Sequence, residues 1–112
     1  KLPLETRKEM AERYMSETKG LVPFIVQKDP KSSLTVFEKP KVIMVTGSLK
    51  VLNLFQVFRR KSHLDESKAM YLFANGKVLL KSETLISDCY YKYKQEDGFM
   101  YLTISDVAMW GQ

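Results

Sequence analysis

Apolar and polar positions change their period several times along this chain of 112 residues. In Leu4 to Lys19, Met10 pairs with Tyr14 and Ala11 with Met15, each four apart, a narrow stripe on an otherwise charged helix. Gly20 marks its end. Leu21 to Lys28 then reads as a strand, with Val22, Phe24 and Val26 alternating with Pro23 and Ile25, all apolar. Pro23 has no N–H to give, so it is expected near a strand start or a free edge. Asp29 to Ser33 is a turn, and Lys39 to Val45 a second strand that forms a hairpin with the first across a long connection. Leu49 to Ser62 carries the strongest helical stripe: Val51, Leu54, Phe55 and Phe58 fall at i, i+3, i+4 and i+7. Leu52 and Val57 are expected to widen it, and Ser48 to cap it.

Met70 to Ala74 and Lys77 to Leu80 flank Asn75-Gly76, the signature of a two-residue type I′ hairpin. A short helix follows over about Leu85 to Lys94, with Thr84 as the expected cap and Leu85, Ile86, Cys89, Tyr90 and Tyr93 on one side. Glu96-Asp97-Gly98 is a turn whose acids need only be solvated. Phe99 to Ser105 alternates again, but both faces of its first half are apolar, which suits an inner strand. The element order indicates an α+β chain, four strands wrapped around one long helix with the last strand returning between earlier ones. That is the β-grasp arrangement of ubiquitin, here with an added N-terminal helix. One domain spans 1–112: a helix in 1–20, the β-grasp core in 21–105 and a tail in 106–112.

In this arrangement Lys39 to Val45 lies at the sheet edge, where free N–H and C=O groups can template an extended peptide. Pro40 near its start is tolerated at an edge and disfavours a central position. Lys39 and Lys41 either attract an acidic peptide or guard the edge against aggregation.

The net charge of +5 suits attraction to acidic surfaces such as lipid, tubulin or nucleic acid without choosing among them. Arg59-Arg60-Lys61 complements a helix C-terminus, and no aromatic residues interleave with it as a single-strand binder needs. No nucleic-acid partner is therefore expected. The single Cys rules out an internal disulfide and any Cys-based zinc cluster. Cys89 sits on an apolar helix side and His63 is the lone histidine, so a Cys–His nucleophile is not the expected use of either. No metal-ligand spacing or phosphate-binding loop is present, so no metal and no cofactor are implied. There is no signal peptide and no membrane-spanning apolar run. A binding or modifier protein is indicated, with no catalytic residues of its own. Gly111 near the end of the tail has no side chain and can enter a narrow enzyme channel.

Four segments carry a resemblance. Leu4-Glu5-Thr6-Arg7, Val22 to Lys28, Tyr71 to Gly76 and Glu96 to Leu102 resemble, in order and spacing, the GABARAP and light-chain autophagy modifiers. These are lipid-conjugated ubiquitin-like proteins. The family begins with two helices, which implies further helix upstream of Lys1. It implies that a cysteine protease cuts after Gly111, removes Gln112 and grips Phe99. Activating and carrier enzymes then pass the Gly111 carboxyl to phosphatidylethanolamine. It implies a cytoplasmic protein that becomes attached to autophagosomal membrane.

The same resemblance gives the edge strand a use. Cargo receptors with aromatic-x-x-aliphatic motifs add to it, with two anchors in two pockets. The first pocket is expected to use Tyr14, Pro23, Lys41, Ile43 and Phe99, and the second Val42, Met44, Leu49, Leu54 and Val57. Lys39 and Lys41 would meet acidic residues beside the motif. The sequence departs from the family at Val42, usually aromatic, at Leu21, usually basic, and by an extra residue near Thr46-Gly47. Trp110 before Gly111 is typical of the sister modifier that is joined to a protein lysine, but Gln112 argues against that branch. The alternatives left open are that protein-linked modifier and an unconjugated β-grasp domain for tubulin or acidic lipid.

Overall fold

A computed structural model describes residues 2–62 and 69–107. The elements run α1 (Leu4–Glu17), β1 (Leu21–Lys28), β2 (Lys41–Thr46), α2 (Val51–Ser62), β3 (Tyr71–Ala74), β4 (Val78–Leu79), α3 (Ile86–Tyr93) and β5 (Met100–Ser105). The strands form one sheet in the order β2-β1-β5-β3-β4. This is the ubiquitin-like β-grasp with an added N-terminal helix, and its five strands fall on the five strand segments read from the chain, the short β4 being the extra one beside the four-strand plan.

β5 lies between β1, to which it is parallel, and β3, to which it is antiparallel. Its two apolar faces explain the central place: Met100, Leu102 and Ile104 are fully buried, and Thr103 and Ser105 on the other face are buried too. Burying each large aliphatic side chain contributes about 1.5–3 kcal/mol. Pro23 sits near the start of β1, before the ladder with β5 begins at Phe24 and Met100. The missing N–H therefore leaves no gap in that ladder.

α2 covers the sheet with Val51, Leu54 and Phe58. Leu52 and Val57 do not widen the buried stripe: they are 43% and 46% exposed. Ser48 is not the cap either, because the helix starts at Val51 and Asn53 Oδ1 accepts the Lys50 N–H at 2.9 Å. The side chain at the third helical position thus satisfies the backbone just before the helix.

Thr84 does not cap α3, whose N-cap is Leu85, an exposed residue outside the helix and off its apolar side. The two helix starts are instead satisfied by each other's loops. Val51 and Leu52 N–H donate to the Thr84 and Ser82 carbonyls, while Ile86 and Ser87 N–H donate to the Leu49 and Gly47 carbonyls. A Cβ at Gly47 would stand 3.1 Å from Ser87 Cβ, so the glycine lets these loops approach.

The Asn75-Gly76 hairpin forms as expected, with φ of 55° and 68° at the two turn residues. Beyond β5, Asp29 fixes the chain: its carboxylate accepts the Ser105 hydroxyl at 3.0 Å and its N–H donates to the Ile104 carbonyl. The Ser33 hydroxyl donates to Asp106 and holds that carboxyl below its ordinary range.

Candidate peptide-docking site

Among the described residues the outer margin of β2 is unpaired and forms one edge of the sheet. Which backbone groups face outward follows from the neighbouring bonds of β1. Asp29 N–H reaches β5 and Lys28 N–H reaches the Phe37 carbonyl on the β2 side. Alternation then turns Val22, Phe24 and Val26 toward β2, where they meet Val45, Ile43 and Lys41. The N–H and C=O groups of Val42 and Met44 face away from β1, toward the open margin. The strand begins at Lys41, so Lys39 lies in the loop before it, not in the strand as expected.

Two apolar clefts flank this margin. The first, about 270 Å3, lies between α1 and the sheet and is lined by Leu2, Arg7, Met10, Ile25, Gln27, Pro40, Val42, Phe99 and Tyr101. The second, about 330 Å3, lies between β2 and α2; its lining includes Phe37, Lys41, Ile43, Met44, Leu49, Leu54, Val57 and Lys61. Strand parity assigns the residues differently from the sequence expectation. Val42 belongs to the first cleft, and Lys41 and Ile43 to the second. Successive side chains of a strand point to opposite faces, and Val42 pairs with Ile25, so it shares the face of Ile25 in the first cleft while Lys41 and Ile43 take the other.

Leu49, Leu54 and Val57 do gather in the second cleft, and Met44 borders it too, although its place opposite Pro23 puts its side chain on the face of Val42. Tyr14 and Pro23 line neither; Tyr14 meets Phe99 edge-on, with ring centroids 6.4 Å apart. Phe99 is 1% exposed and floors the first cleft, so its ring is not presented on the surface. Lys39 lines neither cleft, and Gly111, Gln112 and His63 lie outside the described residues.

The contribution of Leu2, Arg7 and Met10 went unread in the sequence. So did Asp97, expected to be a solvated turn acid and in fact 3% exposed. Asp97 accepts the Phe99 N–H at 2.9 Å and the Tyr101 hydroxyl, and Arg7 Nε stands 3.7 Å away. This buried carboxylate ties α1 to β5 and so fixes the wall of the first cleft. Gly98 serves the same contact: its φ is 88°, and a Cβ there would stand 2.9 Å from Ala11 Cβ. The only local signal was the Asx-type turn before the glycine.

Burial and then the bond to Asp97 push the Tyr101 phenol up to about 12. A phenol that holds its proton more tightly when folded adds stability below its ordinary value near 10, and that stability is lost as pH rises from about 10 to about 12. Urea midpoints are therefore expected to fall across that range, and Tyr101→Phe to make the fall shallower. Burial likewise pushes the Cys89 thiol up to about 11, with its sulfur 3.8 Å from that of Met100. Such a thiol is a core group, not a nucleophile. Among the described residues no group of acids, Cys and His could hold a metal ion, and no helix is long and apolar enough to cross a membrane.

A β-grasp core with a helix laid on its first strand and an open sheet margin between two clefts defines a ubiquitin-like protein. The family model described as "Autophagy protein Atg8 ubiquitin like" matches residues 6–111, and the chain belongs to the Atg8 family. It is an Atg8-type ubiquitin-like modifier of autophagy. Autophagy-related protein 8 of Dictyostelium discoideum is 33% identical over 109 residues, covering 97% of this chain and 88% of the relative. The protein of that name from Cochliobolus heterostrophus is 34% identical over 110 residues, covering 98% of this chain and 91% of the relative. The crystal structure of Trypanosoma brucei ATG8 superposes with a TM-score of 0.84 at 27% identity, covering 93% of this chain and 88% of that one.

Proposed function

We propose that this Atg8-type modifier is trimmed after Gly111, joined through that carboxyl to phosphatidylethanolamine, and recruits cargo receptors by adding their extended motifs to β2. The observation that carries the receptor half is the open margin at Val42 and Met44 with an apolar cleft on either side. Backbone groups give such an added strand its affinity, and alternate side chains entering clefts give it specificity. Lys41 and Lys61 at the second cleft suit acidic residues beside the motif. Family membership over residues 6–111 supports the conjugation half. The chain is then the substrate of a processing cysteine protease and of activating and carrier enzymes. Its own side chains catalyse none of these steps.

Gly111→Ala is expected to leave the fold intact and to abolish lipid attachment. Intact-mass analysis of the cellular protein checks it: a lipid adduct on the unaltered chain, absent from the variant, supports the proposal. A lipid adduct that survives the substitution contradicts it, and an adduct of fixed protein mass would assign the chain to the protein-linked branch.

A further inference from the structure

We propose that Ser33 is a phosphorylation site and that a phosphate there frees the chain end from Asp106 onward. β5 stops at Ser105, yet the chain stays pinned for two residues more. Asp106 N–H donates to Ser32 Oγ at 3.3 Å, and Val107 N–H to Ser105 Oγ at 3.0 Å. The Ser33 hydroxyl donates to the Asp106 carboxylate. Ser105 is itself tied to the buried Asp29. Of the two adjacent serines, only Ser33 is open to a modifying enzyme. Ser32 is 6% exposed and its Oγ also accepts the Leu34 N–H, whereas Ser33 is exposed. Lys28 and Lys31 precede it, which suits a kinase that reads basic residues before its target.

The step is a phosphoryl transfer from ATP. A bond forms between Ser33 Oγ and the γ-phosphorus, and the bond from that phosphorus to the β-phosphate oxygen breaks. ADP leaves, and the hydroxyl proton passes to the base of the kinase. The product lacks the O–H that Asp106 accepts and carries about two negative charges. Asp106 is held as an anion, its carboxyl below the ordinary range chiefly because of the Ser33 bond. Two anions then stand where a donor met an acceptor, and the contact becomes repulsive. Lys28 Nζ donates to the Ser32 carbonyl at 3.0 Å, and Lys31 lies on the same loop. Residues 105–112 carry no Lys or Arg. The cations therefore hold the phosphate with the loop and give the chain end nothing. Pinned at Val107, the chain has four residues to Gly111, a reach of at most about 14 Å; released back to Ser105 it has six, and about 21 Å. The effect on trimming rests on Gly111 being the conjugated end, as proposed above. A longer free end has more residues to order in an enzyme channel.

The test is amide hydrogen exchange on the full chain in three forms: unmodified, Ser33→Ala, and with phosphate on Ser33. The phosphate is expected to speed exchange of the Asp106 and Val107 amides by about tenfold or more. Ser33→Ala removes the donor without adding charge and should speed it by about threefold. The Asp29 amide, bonded to the Ile104 carbonyl of β5, should not change in any form. Phosphopeptide mapping of the cellular protein should find phosphate on Ser33. In trimming after Gly111 by the processing protease, the phosphate should raise KM about five- to tenfold and leave kcat unchanged. Asp106 and Val107 amides unmoved by the phosphate, faster exchange at Asp29 as well, or no phosphate on Ser33 in growing or starved cells would each overturn the proposal. A KM that ignores the phosphate would overturn its link to trimming. If the unmodified chain is not trimmed at all, the conjugation reading fails, and exchange and mapping still decide this one.

Discussion

Asp97→Ala is expected to lower the unfolding free energy by about 3 kcal/mol, more than an average point substitution. The carboxylate accepts a backbone N–H from Phe99 and the Tyr101 hydroxyl, and it is the charge partner of Arg7. Removing it leaves all three groups unmatched in a place that is 3% exposed. Each stranded buried polar group costs about 1–3 kcal/mol. Arg7 is 24% exposed at its side chain, so water recovers part of its share and keeps the sum near the lower end. Asp97→Asn keeps an acceptor in place and should cost distinctly less. Urea unfolding of the three proteins measures the difference. Because α1 hangs on this contact, Asp97→Ala should also deform the first cleft and weaken any ligand whose side chain sits there. Equal stability of Asp97→Ala and the unaltered protein would show that α1 is held by its apolar contacts alone.

The second large effect separates binding from folding on one strand. Met44→Pro removes an N–H that faces the open margin, and proline is tolerated at such positions. Stability is expected to change by within about 1 kcal/mol, while an extended peptide should lose about tenfold or more in affinity. Met44→Ala is the control for the lost side chain and should keep most of the affinity. Ile43→Pro, one residue earlier, removes an N–H that bonds to β1 opposite Phe24. It is expected to destabilise the fold by about 3 kcal/mol. Affinity and urea midpoint should therefore respond in opposite order to the two prolines. If both variants lose stability alike, the assignment of outward and inward groups along β2 is wrong.

Local chemistry made the framework readable from the chain. The helical spacing of Val51, Leu54, Phe55 and Phe58, the Asn75-Gly76 turn and the doubly apolar Met100 to Ile104 each indicate an element through their own side chains. The edge position of β2 followed from Pro40 and the element order. What stayed hidden depends on contacts between distant segments. Ser48 and Thr84 are good capping residues, yet the helix starts are capped by carbonyls of loops that only the folded chain brings together. Leu52 and Val57 match the apolar type of a core face but fall outside the sector that meets the sheet. Asp97 sits in a turn-forming triplet, and nothing in its neighbours signals that Arg7, 90 positions earlier, will pair with it.

The site was legible in the same uneven way. Most of the residues expected to line it do so, but Val42, Ile43 and Lys41 sit in the opposite clefts from those expected. With a side-chain period of two, the pairing of Val42 with Ile25 fixes which face each β2 residue takes, and that register is not visible in the chain. Tyr14 touches Phe99, which floors the first cleft, but neither Tyr14 nor Pro23 lines it. The resemblance to the GABARAP and light-chain modifiers supplied the proposed uses of the edge and of Gly111; composition and periodicity alone indicated a binding protein of unspecified kind.

Hydrogen–deuterium exchange at single-amide resolution, with and without a saturating aromatic-x-x-aliphatic peptide, tests the capture of an extended partner on β2 most directly. The amides of Val42 and Met44 should exchange fast in the free protein and become protected in the complex. Those of Ile43 and Val45, already bonded to β1, should be slow in both. Protection of Val42 and Met44 without the peptide, or no change on saturation, would contradict the account.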